Sequence, residues 1–206
     1  MNSSTFHCSG SIGRWTLAGV SEVIGRDALR RILAGTAQYG WLGKDDRLYV
    51  PAEIDYDDIA VLQDRLLAEY GPQGTRGILL RSGRAGFSAL MGAPNGPHRL
   101  LSLGYRLQSL PARLRSGLGE LAACLQRETH QSITVMEEAG HWRWQMQASP
   151  WSQGGANNPA AQECCFVGGL LQEFFAWTSG GRYYPVRALA GDGAACALRI
   201  EKTPVD

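Results

Sequence analysis

The residues best equipped to do chemistry in this sequence are five cysteines, four histidines and a late crowd of aromatic rings. The cysteines (Cys8, Cys124, Cys164, Cys165, Cys196) are odd in number and lack CxxC spacing, which argues for a reducing compartment rather than a disulfide framework. Cys164 and Cys165 open a helical pattern, and Cys196 lies on a terminal strand pattern that can pack near them. A thiol at a helix N-terminus has its thiolate favoured, which suits a metal ligand or a reactive group. The same cysteines stand among Val, Gly and Leu, where a thiol also serves as a small buried apolar group. A structural zinc takes four ligands, and only two or three sulfurs can be named here.

Other catalytic signatures are missing. His7, His98 and His130 stand in polar or loop contexts, and His141 falls on the polar side of a strand pattern, so each reads as solvated. There is no GxSxG elbow and no HExxH pair. The spacing GxxGxxxxxGxxG over 74–86 lies inside a helical pattern rather than after a strand, which argues against a phosphate cradle.

The aromatic residues say more. Trp142, Trp144, Phe166, Trp177 and Tyr184 concentrate in the last third, while Gly83 and Gly86 give an earlier helical segment a face of small residues. A flat apolar ligand uses such residues as its walls, and so does an ordinary core. A glycine inside a helix costs roughly 1 kcal/mol against alanine, and close backbone approach, to a helix or to a ligand, is its return. Composition alone leaves both uses open.

Positioning these groups falls to elements that the hydrophobic period separates. Apolar residues recur at helical spacing from Leu17 through Val20, Ile24, Ala28 and Ile32. Asp55 is placed to cap a second helix that carries Ile59, Leu62, Leu66 and Tyr70 on one face. A break at 71–74 precedes a third helix through Ile78, Leu79, Ser82, Gly86 and Leu90, and Pro111 splits a fourth pattern over 100–125. The period then changes to two. Residues 131–137 and 141–148 alternate as a hairpin, a helix follows over 164–177, Gly180 and Gly181 stop it, and strands run from Tyr184 and through Cys196, Leu198 and Ile200. The order helices, two strands, helix, two strands predicts an α+β fold with helices packed on an antiparallel sheet.

The chain has 206 residues, 44% of them hydrophobic, and a formal net charge of +1, enough for one sizeable core. The reading is a flexible N-terminal segment over 1–16 and a single domain over 17–206. Basic residues do not cluster, which argues against nucleic acid as a partner. No stretch approaches the roughly 20 apolar residues that span a bilayer, and the N-terminus has neither the basic start nor the apolar core of a secretory signal. A cytoplasmic protein is expected.

Several blocks together resemble the 4-vinyl-reductase domain family, in the branch found in phototrophic bacteria. They are EYGPQGTRGI at 69–78, RSGRAGF at 81–87, GLLQE at 169–173, WTSGG at 177–181, Gly191-Asp192, and the segment from Cys196 to Pro204. The resemblance implies a fold like that of the vesicle-tethering TRAPP subunits, commonly dimeric, with an internal apolar cavity. In related sensory domains it implies a zinc site of three cysteines and a glutamate. Carried over, Cys164 and Cys196 match the first and last cysteine. The family's glutamate and middle cysteine are absent from 186–191, and Ser149-Pro150-Trp151-Ser152 replaces its Cys-Pro-x-Cys-Trp loop. That leaves zinc with two ligands, with Asp192 or Cys165 as substitutes.

The function expected on these grounds is a small-molecule-binding module for a tetrapyrrole or other apolar ligand, in (bacterio)chlorophyll biosynthesis or photosystem assembly. Its ligand would lie between Gly83 and Gly86 on one side and the aromatic set on the other. Pigment-synthesis or photosystem proteins would be partners, and the chain would form a homodimer. Two alternatives stand beside it: reduction of a tetrapyrrole 4-vinyl group, for which no nicotinamide or flavin motif is visible, and scaffolding without a small ligand.

Overall fold

The computed structural model describes residues 6–43, 47–152, 163–189 and 196–205. Strand β1 (His7–Ser9) leads directly into α1 (Gly10–Ile24), whose first turn is capped by the Ser9 hydroxyl accepting from the Ser11 N–H at 3.2 Å. Ordered elements therefore begin ahead of residue 17, the expected domain start, and Gly10, Ile12 and Trp15 are already buried. At Gly25 the backbone takes φ 81°, open to glycine at little cost, and the expected single helix divides into α1 and α2 (Arg26–Leu33).

Strand β2 (Glu53–Asp55) pairs antiparallel with β1, His7 opposite Asp55. Three-residue strands are too short for an alternating pattern to show, which is why the sequence carries no sign of this pair. Asp55 then caps α3 (Tyr56–Gly92), and Asp58 returns a bond to the Asp55 N–H at 2.9 Å. The break expected at 71–74 is present: Gly71 leaves the helical region at φ 67° and ψ 176° ahead of Pro72, and α3 is two helical segments joined across this kink.

Short α4 (Leu103–Arg106) leads to α5 (Leu110–Thr129), where Pro111 occupies the first turn, the position at which its missing N–H costs nothing. Strands β3 (Ile133–Glu137) and β4 (His141–Met146) form the expected hairpin, with Val135 opposite Trp144. Burial along β4 alternates strictly, Trp142, Trp144 and Met146 facing inward. Helix α6 (Cys165–Ser179) ends at Gly180 and Gly181, both at positive φ. Strands β5 (Val186–Ala188) and β6 (Cys196–Glu201) complete a four-stranded antiparallel sheet in the order β3-β4-β6-β5. Among the described residues the fold is thus α+β, six α-helices with this sheet and a separate two-stranded ladder. None of these helices is long and apolar enough to cross a membrane.

Helix α3 is the spine, packed against α1 on one side and α6 on the other. Glycines permit both crossings. A Cβ on Gly19 of α1 would fall 2.1 Å from the Ser82 carbonyl oxygen. One on Gly169 of α6 would fall 1.9 Å from that of Leu80. Helix α6 in turn covers the sheet, where the Phe175 ring lies 5.3 Å from Trp142 and 4.9 Å from Tyr184.

Candidate ligand groove and thiol pair

Of the residues expected to enclose a ligand, Phe166 meets both Gly83 and Gly86. A Cβ on Gly83 would stand 1.9 Å from the Phe166 carbonyl oxygen, and one on Gly86 would stand 3.0 Å from the Phe166 ring and 3.2 Å from the Trp15 carbonyl oxygen. Both glycines therefore face protein atoms at packing distance. Trp151 stacks on Phe166, with centroids 5.0 Å apart at 11°. Its indole N–H donates to Thr16 Oγ1 at 2.9 Å, and its carbonyl accepts from Gln63 Nε2 at 2.8 Å. Trp142, Trp144, Phe166 and Tyr184 are buried in the one apolar core. Trp177 departs from this set: it is 40% exposed and stacks on Tyr105 at 6.4 Å. The faces of Gly83 and Gly86 are thus occupied by α6 and by Trp15, at a crossing where α3 and α6 approach to backbone contact.

A groove of about 660 Å³ opens beside this interior, where α3, α6 and β5 meet. Leu80, Gly168, Val186 and Leu198 give it an apolar floor, and Cys165, itself buried, is among its lining residues. Two guanidinium groups stand at its edge. Arg76 is held at 2.8 Å by Glu163, and Arg187 projects from the exposed middle of β5. Gln172 Nε2 donates to the Tyr183 hydroxyl at 3.3 Å on the same wall. Two further cavities, of about 580 and 530 Å³, are lined mainly by polar side chains such as Gln108, Ser116 and Glu120 in one and Glu22, Arg84 and Glu173 in the other. No single run of sequence announces the groove, since its lining comes from four elements, α3, α6, β5 and β6.

Next to the groove, Cys164 and Cys196 come together as expected. Cys164 precedes α6 in a left-handed conformation, φ 52° and ψ 39°, which costs a residue with a Cβ on the order of 1 kcal/mol. That geometry turns its sulfur toward the first residues of β6. There it lies 3.4 Å from the Ser152 hydroxyl, a contact in which either group can donate. Hydrogen bonding, from Cys196 foremost and from Ser152 and the Ala197 N–H, holds the Cys164 thiol below its usual range against the opposing effect of burial. Burial raises Cys196 far above that range, and the neighbouring Cys164 adds to the effect. Burial likewise pushes Cys165 and Cys8 up to about 12 and Cys124 up to about 11. Among the described residues no three metal-ligating side chains gather, so the zinc site implied by resemblance finds no third ligand; Asp192 lies outside them.

The histidines stand apart from all three cavities. His7 pairs with Asp55 across β1 and β2, and His98 Nε2 lies 2.9 Å from the Pro94 carbonyl oxygen. His130 caps α5 at φ 56°, and His141 Nε2 lies 3.2 Å from Glu138.

No protein-family model matches the chain, and no curated protein does. Solved structures do. A double phenylalanine variant of an H-NOX protein designated Tt aligns over 96% of this chain and 97% of its own, at 14% identity and a TM-score of 0.59. The Fe(II) unliganded H-NOX protein from K. algicida aligns over 95% and 96%, at 15% identity and a TM-score of 0.58, and a glycine variant of it gives 0.59. These findings overturn the resemblance to the 4-vinyl-reductase domain family and the chlorophyll-related role drawn from it. The physical reason lies in the blocks that carried the resemblance: 81–87 and 169–173 are the two sides of a helix crossing, where Gly83 and Gly169 answer the facing backbone. Near-contact of two helices demands small residues whatever the family. Across nearly its whole length, the chain has the fold of H-NOX proteins.

Proposed function

We propose that the chain is a binding module for a tetrapyrrole, a flat apolar molecule that carries carboxylates, received in the groove between α3, α6 and β5. The observation that carries this reading is the groove itself: an apolar floor with Arg76 and Arg187 at its edge, in a volume of about 660 Å³. Ligand sites of 300–1,000 Å³ combine such a floor with a few placed polar groups, and guanidinium groups pair with carboxylates through two parallel hydrogen bonds. The likeness in fold supports the ligand class, since H-NOX denotes heme nitric oxide/oxygen binding and the K. algicida protein is an Fe(II) form.

Heme asks for an axial ligand as well as a slot, ordinarily a histidine, cysteine, methionine or tyrosine. No histidine lines the groove, and Cys165 is its one sulfur. The groove thus fits the organic frame and its carboxylates, with Cys165 or Tyr183 as the group that would hold iron. When bound, heme would supply an iron able to take a diatomic gas. The protein's own part is to desolvate the macrocycle on Leu80, Val186 and Leu198 and to neutralise its acid groups through the arginines. Burial holds the proton on the Cys165 thiol, which would have to be given up for that sulfur to serve as a ligand.

Titration with hemin and with metal-free protoporphyrin tests this. Both should saturate at micromolar concentration, and Arg76→Ala with Arg187→Ala should weaken both about tenfold or more, the equivalent of about 1.4 kcal/mol. Cys165→Ser should alter the hemin spectrum and leave protoporphyrin affinity unchanged. Absence of a saturable shift with either ligand would sink the reading. The filled interior favours the second one, a scaffold that acts through protein contacts alone; recovery of stable protein complexes from a module inert to both porphyrins would support it.

A further inference from the structure

The turn over 98–101 and α4 take no part in the groove, and the ligand reading makes no use of them. We propose that their leucines and arginines form a docking surface for an anionic lipid bilayer, which the chain meets without crossing.

Leu103 and Leu107 carry the inference. They are the most exposed large apolar side chains among the described residues, at 71% and 77%. Their four-residue spacing puts both on one side of α4, where the Leu107 N–H donates to the Leu103 carbonyl at 3.0 Å. Leu101 is exposed just ahead of them. This is a fixed surface rather than a loose loop. Tyr105, between the two leucines, is buried against Trp177 and meets the Thr178 hydroxyl at 3.2 Å. The Ser102 hydroxyl accepts from the Tyr105 N–H at 3.3 Å, which caps the same short helix. Tyr105 thus anchors α4 inward and leaves its leucines facing out. Trp177, itself exposed, adds a ring of the kind favoured at the boundary of water and lipid.

Charge selects the occupant. Residues 70–119 hold seven arginines and no aspartate or glutamate, although the whole chain is nearly neutral. Spread over α3, α4, α5 and the turn, these arginines form no run in the sequence. Arg99 and Arg106, both exposed, stand among the leucines. Arg99 lies 4.0 Å from Glu120, the first carboxylate after the basic stretch, and keeps most of its side chain in solvent. Leucines that enter the headgroup boundary and arginines that attract anionic lipid are the two components of an interfacial anchor. A second copy docked on this patch about a two-fold axis would set like charges against each other. Nucleic acid would engage the arginines and gain nothing from the leucines.

The test sediments the full chain with vesicles of phosphatidylcholine alone, or mixed in equal parts with phosphatidylglycerol. Binding to the mixed vesicles should be about tenfold tighter or more, and should weaken as salt is added. Of six tryptophans only Trp177 is exposed, so brominated lipid should quench the wild type and spare Trp177→Phe. Leu103→Ser with Leu107→Ser should lower affinity about tenfold or more while leaving the urea midpoint unchanged, because neither side chain belongs to the core. Arg99→Gln with Arg106→Gln should erase the preference for phosphatidylglycerol. Arg31→Gln with Arg65→Gln, an equal loss of charge at other exposed positions, should keep it. Vesicle binding that ignores lipid charge or the leucine pair would overturn the proposal. So would an absence of vesicle binding, whether the chain instead held duplex DNA or self-associated through the same leucines. The porphyrin titrations can succeed or fail without altering this result, since the surface and the groove share no residue.

Discussion

Phe166 shows how one side chain can settle what its neighbours do. Its ring is fully buried, stacks on Trp151 and meets Gly86, while its carbonyl oxygen faces Gly83. Phe166→Ala removes the stack and leaves a void bordered by two helices, with an expected cost of about 3–5 kcal/mol in urea unfolding. A loss below 1 kcal/mol would mean that the interior collapses easily and is less well packed than described. On the surface, Glu137 is clamped by Arg115 at 2.5 Å and by Lys202 at 2.9 Å, which lowers its carboxyl to about 2. Its pKa in the folded chain lies below the ordinary value of 4.5. Its contribution is therefore present above pH 4.5 and disappears as pH falls toward 2. Arg115→Met should flatten the dependence of the urea midpoint on pH between those limits. An unchanged slope would show that the exposed clamp contributes nothing measurable, the usual fate of surface pairs.

Among the elements, the crossing of α3 and α6 governs. Gly83→Ala or Gly169→Ala forces a Cβ into a facing backbone and should cost on the order of 1–3 kcal/mol. The double variant should cost less than the sum, since one separation of the helices relieves both clashes. Gly119 makes the contrast: a Cβ there meets nothing within 4 Å, so Gly119→Ala inside α5 should raise stability by roughly 0.5–1 kcal/mol. If Gly83→Ala and Gly119→Ala moved the midpoint in the same direction, close approach would not be what the crossing requires. The elements themselves were largely legible. Trp142, Trp144 and Met146 alternate in the sequence and in burial alike, and Asp55 caps the helix that it was placed to cap. The Gly71–Pro72 signal was legible too, since glycine reaches a positive φ freely and proline cannot continue the hydrogen-bond ladder. The β1–β2 pair was illegible, its partners standing 46 positions apart at Cys8 and Ile54 with no period of their own.

For the molecule as a whole, likeness to H-NOX structures extends over nearly the full chain at 14–15% identity. A fold can persist at that level because the period of apolar residues and the small residues at crossings are retained while most other positions drift. The same fact explains why short glycine-rich blocks misdirected the family assignment. They record helix proximity, which many sequences share. The groove lies at a junction of four elements, and Arg76, Cys165 and Arg187 come from three separate stretches.

What the sequence by itself determined was the succession of helices and strands, the inward faces of each and the balance of charge, all properties set by neighbours along the chain. Only the tertiary structure decided that Gly83 faces a helix, that the aromatic interior closes on itself and that the open space lies beside it. Those outcomes depend on how closely backbones distant in sequence approach, and that distance follows from three-dimensional packing rather than from any local pattern.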